Sequence, residues 1–394
     1  MGNFEEQLGS ELGSIRDSGL WRELRNIGSV KGSSIEHNGK KLINFSSNDY
    51  LGLAVHPALV DAVRKAMERF GVGSGASRLV CGSLKPHHEL EEALADWLDA
   101  ERALVFSSGF AAAQGVITSL VGRGDVVIID KKVHASTVDA AKLSGATIRV
   151  FHHNDLLSLA KILKWADSKS TRVLTITESV FSMDGDSPDI ESLVELKDRY
   201  GSWLMLDEAH ALGCYGEAGA GLALKSNLAD RIEVRLGTLG KSIGAAGGFV
   251  CGSQMLVDLL VNKARSFIFS TAPSPLVSAA ALAGVNLIQS NEGEARRHKL
   301  WDNVEHFQKG VASQNWPVAP AMSVILPLIF SDESKAMIAM SLLRDSGLYI
   351  PAIRFPTVPR NEARLRVTVS ASHSRDDITA LLSALDDLLV EVNL

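Results

Sequence analysis

The run WLMLDEAH, residues 203–210, sets four apolar residues directly before two acids and a histidine. A short apolar run of this kind suits a strand buried on both faces, and its abrupt polar end marks where it leaves the sheet. The same pattern recurs on either side, as ALVFS at 103–107, VVIID at 126–130, TIRVF at 147–151, RVLTIT at 172–177, EVRLGT at 233–238 and GGFVCG at 247–252. Helical periodicity lies between most of these runs, at 110–121, 134–143, 155–166 and 189–200. Buried strands alternating with helices predict an α/β fold whose large domain holds a mostly parallel, doubly wound sheet. Farther on, 274–308 reads as one helix. SVILPLI (323–329) and RLRVTVS (364–370) then alternate with helices at 332–346 and 374–392, which predicts a smaller C-terminal α+β domain.

Upstream, Phe4, Leu8, Leu12, Ile15, Leu20 and Leu24 fall near helical spacing, so residues 1–30 read as an amphipathic helix. GSVKGSS (28–34) reads as a polar passage and residues 41–45 as a strand. Helices at 58–70 and 87–99 flank the glycine-rich GVGSGASRLVCGS at 71–83. The expected division is an N-terminal helix and strand segment (1–45), a large cofactor-binding domain (46–290) and a small C-terminal domain (291–394).

The 394 residues are 46% apolar and 22% charged, which suits a folded core and excludes a disordered chain or a small disulfide scaffold. A net charge of -6 with no run of five like charges argues against nucleic acid as a partner. Cys81, Cys214 and Cys251 are far apart and odd in number, which suits a reducing cytoplasm. The apolar stretch 276–288 is too short to span a bilayer, and the acidic start has no apolar core, so neither membrane nor secretion is expected.

Some motifs do not hold. Asp207-Glu-Ala-His210 spells the helicase DEAH box, but the Gly-Lys-Ser at 240–242 lies downstream of it, and the required first glycine would be Arg235. Gly71-x-Gly73 lacks the third glycine of a dinucleotide fingerprint, since residue 76 is alanine. The pairs His87-His88 and His152-His153 lack metal-site spacing and read as solvent or helix-surface histidines, so no metal is expected.

Ligands of an open parallel sheet bind beyond the carboxyl ends of its strands. There the predicted strands deliver Ser107-Ser-Gly109-Phe110 at a helix start, Asp130 and then His134, Glu178 and then Ser182, Asp207 with His210, and Thr238-Leu-Gly-Lys241. Pyridoxal phosphate asks for this set. Its aldehyde needs a lysine amine, its ring nitrogen a carboxylate, its phosphate a helix N-terminus and hydroxyls, and its ring a stacking face. Lys241, Asp207, Gly109 and Phe110 with Ser182 and Thr238, and His134 meet these needs in turn.

From about residue 20 onward the sequence resembles the α-oxoamine synthases of the fold-type I pyridoxal-phosphate enzymes, most of all the branch that serves biotin synthesis. The resemblance is carried by NFSSNDYLGL (44–53), GSGASR (73–78), SGF (108–110), HAS (134–136), VFSMDGD (180–186), LDEAH (206–210), TLGK (238–241), FST (269–271), and IRFPTVP (353–359) with Arg364-Leu-Arg366. It implies that Lys241 binds the cofactor aldehyde, Asp207 pairs with the pyridinium nitrogen, His210 bonds the phenolic oxygen and His134 stacks on the ring. Gly109, Phe110, Ser182 and Thr238 match cofactor-holding positions, and Ser270 and Thr271 a segment that reaches the neighbouring subunit's phosphate in a homodimer with shared sites. Arg22, Asn48, His134, Thr357 and Arg366 match substrate positions, Arg366 as the amino-acid carboxylate clamp. The implied reaction is a decarboxylative Claisen condensation of L-alanine with a pimeloyl thioester. The alternatives are a glycine C-acetyltransferase or a serine- or glycine-using acyltransferase, because Glu208, Ala211 and Ser179 depart from the residues common in the biotin branch.

Overall fold

The computed structural model describes residues 3–169, 172–314, 316, 323–330 and 332–392. The chain opens with a helix, Phe4–Asp17, followed by an antiparallel meander of β1 (Ile27–Lys31), β2 (Ser34–His37) and β3 (Lys40–Asn44). Seven strands then build the large sheet: β4 (Arg102–Phe106), β5 (Val126–Asp130), β6 (Thr147–Phe151), β7 (Val173–Glu178), β8 (Trp203–Asp207), β9 (Val234–Thr238) and β10 (Gly248–Gly252). Their spatial order is β4-β10-β9-β8-β7-β5-β6, all parallel except β10, which runs antiparallel to both of its neighbours.

Every residue of β5 and β7 is buried, as the unbroken apolar runs predict for strands covered on both faces. The two-residue side-chain period splits each strand between the two faces. Ala103 and Val105 of β4 join the core that includes Leu212 and Phe249, whereas Leu104 and Phe106 join the core of Val116, Ile117 and Leu260 on the other face. In the C-terminal region, β11 (Ile325–Ile329), β13 (Ala352–Ile353) and β14 (Arg364–Thr368) pair antiparallel, with β14 central. The short β12 (Leu348–Tyr349) instead pairs in parallel with β3, so the first and last parts of the chain share a sheet.

Three local readings are corrected. The N-terminal helix stops at Asp17 because Gly19 turns left-handed (φ 70°), and Leu24 beyond it is fully exposed rather than part of an apolar helix face. GSVKGSS is no polar passage: Gly32 and Ser33 close a two-residue turn that pairs Val30 with Ile35. The single helix expected at 274–308 is two, Pro275–Ile288 and Asn291–Ser313, because the Ser290 hydroxyl accepts the Gly293 N–H and starts the second.

One packing contact reaches the predicted lysine loop. A Cβ at Gly284 would stand 2.2 Å from the Ile243 carbonyl oxygen, two residues beyond Lys241, so only glycine lets the helix Pro275–Ile288 lie against that loop. Gly284→Ala should therefore destabilise the fold by about 1–3 kcal/mol by overpacking. Chemical denaturation checks this, and an unchanged midpoint would show that the loop yields freely.

Candidate active site

A cavity of about 210 Å³ opens at the carboxyl ends of β5, β7, β8 and β9. Gly109, Phe110, His134, Ser136, Glu178, Ser182, Asp207, Ala209, His210, Leu236, Thr238 and Lys241 line it. A larger hollow, about 630 Å³, lies elsewhere on the fold among Trp203, Arg235 and Met255 and holds none of these groups.

Lys241 follows β9 and a turn fastened by Thr238, whose hydroxyl donates to the Gly247 carbonyl and accepts the Gly240 N–H. Its Nζ lies 2.7 Å from His210 Nε2, and His210 Nδ1 lies 2.7 Å from the Tyr50 hydroxyl. Because Tyr50 donates to Asn48 Oδ1, the network assigns the imidazole proton to Nδ1 and leaves the Nε2 lone pair facing the amine. Burial, reinforced by the Lys241 and Arg366 charges, holds His210 well below the usual histidine range, so the ring is neutral. Burial likewise pulls the Lys241 ammonium down to about 8, against the support of Asp207 and Glu178.

Asp207 ends β8, where burial raises its carboxyl above the usual range and the Lys241 charge opposes that rise. Its Oδ1 accepts the Ala209 N–H, and among the described residues no donor meets Oδ2. His134 caps the helix Ala135–Ser144, its Nδ1 accepting the Ser136 N–H, which leaves the ring proton on Nε2. Burial lowers its pKa, so this ring too is neutral. Ser108 caps the helix Gly109–Leu120 through the Ala111 N–H, and the N–H groups of Gly109 and Phe110 have no partner among the described residues. Free amides at a helix start suit an anion.

Of the residues expected from sequence, Gly109, Phe110, His134, Ser182, Asp207, His210, Thr238 and Lys241 all line this cavity. Asn48 and Arg366 stand one layer behind it: the guanidinium donates to Asn48 Oδ1 at 3.1 Å and to the Tyr50 hydroxyl at 3.5 Å, and its Nε to the Ser182 carbonyl. Arg22 donates to the Thr357 hydroxyl at 3.3 Å, which joins two positions 335 residues apart outside the lining. Ser270 and Thr271 stay out of the cavity, and Thr271 bridges Ser77 instead.

Sequence reasoning placed Glu178 at a strand end without giving it a role, and missed Tyr50. Glu178 ends β7 and accepts the N–H groups of His134 (2.6 Å) and Ser182, while burial and the Asp207 charge push it up to about 8. Its signal was its place at a strand end beside the named acids. Tyr50 is fully buried inside NFSSNDYLGL, a stretch that carried the resemblance but gave the tyrosine no role.

The donor set fits pyridoxal phosphate on three observations: an amine held partly neutral, a buried carboxylate with an open oxygen, and two unpartnered amides at a helix start. Only a neutral amine is nucleophilic, so in the cofactor-free chain Lys241 should react with an acylating reagent with a midpoint near pH 8. Asp207→Asn should move that midpoint lower, because the carboxylate supports the ammonium form. Peptide mapping across pH measures both, and a midpoint at the ordinary lysine value would refute the burial argument.

A family model described as Aminotransferase class I and II matches residues 40–385. The 8-amino-7-oxononanoate synthase of Herminiimonas arsenicoxydans is 43% identical over 385 residues, which cover 97% of this chain and 99% of that one. Among solved structures, a serine palmitoyltransferase from S. paucimobilis with bound PLP–myriocin superposes with a TM-score of 0.93 at 28% identity, with all of both chains covered. The 8-amino-7-oxononanoate synthase from Francisella tularensis superposes with a TM-score of 0.76 at 26% identity, over 90% of this chain and 99% of that one. The chain belongs to the aminotransferase class I and II family, in the group that includes the 8-amino-7-oxononanoate synthases.

Proposed function

We propose that this cavity binds pyridoxal 5'-phosphate and that the chain is an acyltransferase of biotin synthesis. It condenses L-alanine with a pimeloyl thioester of coenzyme A or a carrier protein, releasing the thiol, carbon dioxide and 8-amino-7-oxononanoate. The observation that carries the chemistry is the Lys241 amine, buried in one cavity with Asp207, His134 and His210. The choice of substrates rests on the 43% identity to a synthase of that name over nearly the whole chain. The closer superposition on a serine palmitoyltransferase reports shape, which at 28% identity does not select a substrate.

In this reading Lys241 would bind the cofactor aldehyde, Asp207 would pair with the ring nitrogen, His210 with the phenolic oxygen, and His134 would stack on the ring. Gly109, Phe110, Ser182 and Thr238 hold the phosphate end. When bound, the cofactor supplies an electron sink for negative charge at the amino acid's α-carbon. Freed when the amino acid's own amine takes its place on the aldehyde, the Lys241 amine, kept partly neutral by burial, would take the α-proton and later return one to the product. Asp207 keeps negative charge where a cationic nitrogen needs it. Arg366, its fork oriented by Asn48 and Tyr50, holds the amino-acid carboxylate. His134 Nε2–H is available to the ketone oxygen or to a carboxylate. Arg22 and Thr357 meet the far carboxylate of the acyl chain. Their segments are already fastened, because Arg354 donates to the Trp21 carbonyl at 3.0 Å.

The reading includes a homodimer. Val72, Leu79 and Val80 expose apolar side chains on the glycine-rich segment, and Phe269 does so on the segment that Ser74 ties to it through the Pro273 carbonyl. A partner covering them would place Ser270 and Thr271 toward its own cavity. Among the described residues no helix is long and apolar enough to cross a membrane. Three free cysteines suit the cytoplasm, where we place the reaction.

Thiol release, measured for alanine, glycine and serine against pimeloyl and acetyl thioesters, tests the reading. Alanine with pimeloyl should turn over fastest, and faster turnover of serine or glycine would move the assignment to a sister synthase. Arg22→Ala should raise KM for the pimeloyl thioester about tenfold, as expected for losing one charge-assisted contact, with the KM for alanine nearly unchanged. Equal shifts in the two constants would refute the role given to Arg22.

A further inference from the structure

The pair His152-His153 follows β6 and was expected on the surface. His152 is exposed, but His153 is not. Its Nδ1 lies 2.9 Å from Asp130 Oδ1 and its Nε2 2.8 Å from Asp186 Oδ2, with its ring edge-on to Phe181 at 4.4 Å. Ionised carboxylates only accept, so both ring nitrogens must carry protons and the ring is an imidazolium. Burial opposes that charge, but the two carboxylates outweigh it and hold the pKa up at about 9. The charged groups around it come from four places. Asp155 on its own segment is spent on capping the helix Leu156–Asp167. Lys132 beyond β5 and Arg364 of β14 both meet Asp184, while Asp130 and Asp186 meet His153 and, beside it, the backbone and side-chain amides of Asn154.

Each of the two carboxylates shapes a loop that lines the cavity. Asp130 ends β5 four residues before His134 and also accepts the N–H groups of Lys132 and Asn154. Asp186 closes the 181–186 loop that presents Ser182, its carbonyl accepting the Phe181 N–H. That loop is pressed against β11, where a Cβ at Gly185 would stand 2.2 Å from the Ile325 oxygen. On the cavity side Glu178 joins the same two loops through the His134 and Ser182 amides. The two loops are thus tied by Glu178 inside and, behind, by His153 together with Asn154 and the Lys132–Asp184 pair.

We propose that protonated His153 is a positioning residue for the condensation: its charge fastens the turn that carries His134 to the loop that carries Ser182, and loss of its proton loosens both. This rests on the reading of the cavity given above and goes beyond it, because His153 touches neither the cavity nor its contents.

His153→Gln keeps the size and one donor but not the charge. In the pyridoxal-phosphate-loaded enzyme near pH 7.5, it should lower kcat about tenfold or more with KM for alanine little changed, as misplaced groups do. Backbone hydrogen exchange over 130–136 and 181–187 should quicken several-fold at unchanged cofactor content. The alkaline fall in kcat centred near pH 9 in the wild type should be lost. Asp186→Asn leaves Asp130 in place and should move that fall down by about one pH unit. A purely structural role would lower the melting temperature without moving the pH profile. Exchange of the alanine α-proton in deuterated water, which needs no acyl donor, separates the two levels. If the wild type exchanges and His153→Gln matches it in kcat, backbone exchange and alkaline fall, the inference is overturned while the cavity reading stands. If His153→Gln does not fold, an unmoved fall in Asp186→Asn overturns it equally. A wild type that exchanges no α-proton removes the cavity reading and the inference with it.

Discussion

A lysine is useful to this site only if its amine can lose its proton near neutral pH, and an exposed lysine cannot. Burial supplies that condition, and much of the architecture follows from the cost of burying an amine. The charge needs a carboxylate within reach, and Asp207 provides it; an amine N–H needs an uncharged acceptor, and the Nε2 of neutral His210 provides that at 2.7 Å. Asp207 in turn is buried and needs the cation. Neither could be removed from water alone without a large desolvation penalty. The pair holds because both residues sit at the ends of adjacent parallel strands, β8 and β9, whose register is set by the sheet.

The same economy of placement runs outward. His210 is fixed by Tyr50, and Tyr50 by Asn48 and Arg366, so a chain of contacts leads from the amine to the C-terminal strand β14. Arg366 and Arg364 on that strand grip the loop that carries Ser182, through the Ser182 and Met183 carbonyls and Asp184. β12 lies beside β3, and Arg354 holds the Trp21 carbonyl, so the N-terminal segment is brought to the same side as the C-terminal residues that face it. The cavity is therefore assembled from the large sheet and braced by β14.

Much of the fold was legible because the physics is local. A strand buried on both faces must be apolar throughout and must end where polar residues begin, so WLMLD or VVIID declares both its conformation and its functional end. The elements misread were those where a single residue overrides a periodicity. Gly19 stops a helix whose apolar spacing runs on to Leu24, and Ser290 restarts one whose spacing is continuous. Val30 and Ile35 make a hairpin from a passage that composition alone calls polar.

By itself the sequence determined the alternation of strands and helices, the chemical types delivered at the strand ends, and hence a lysine, a carboxylate and two histidines in one neighbourhood. Each of these follows from neighbours within a few residues. Only the tertiary structure decided the charge states and the partners. His153 is indistinguishable from its exposed neighbour in sequence, yet Asp130 and Asp186, 23 and 33 residues away, make it a half-buried cation. Glu178 reads as one more strand-end acid until the amides of His134 and Ser182 close on it. Burial and Coulomb interactions depend on distance through space, and that distance is set only when the sheet brings remote segments together.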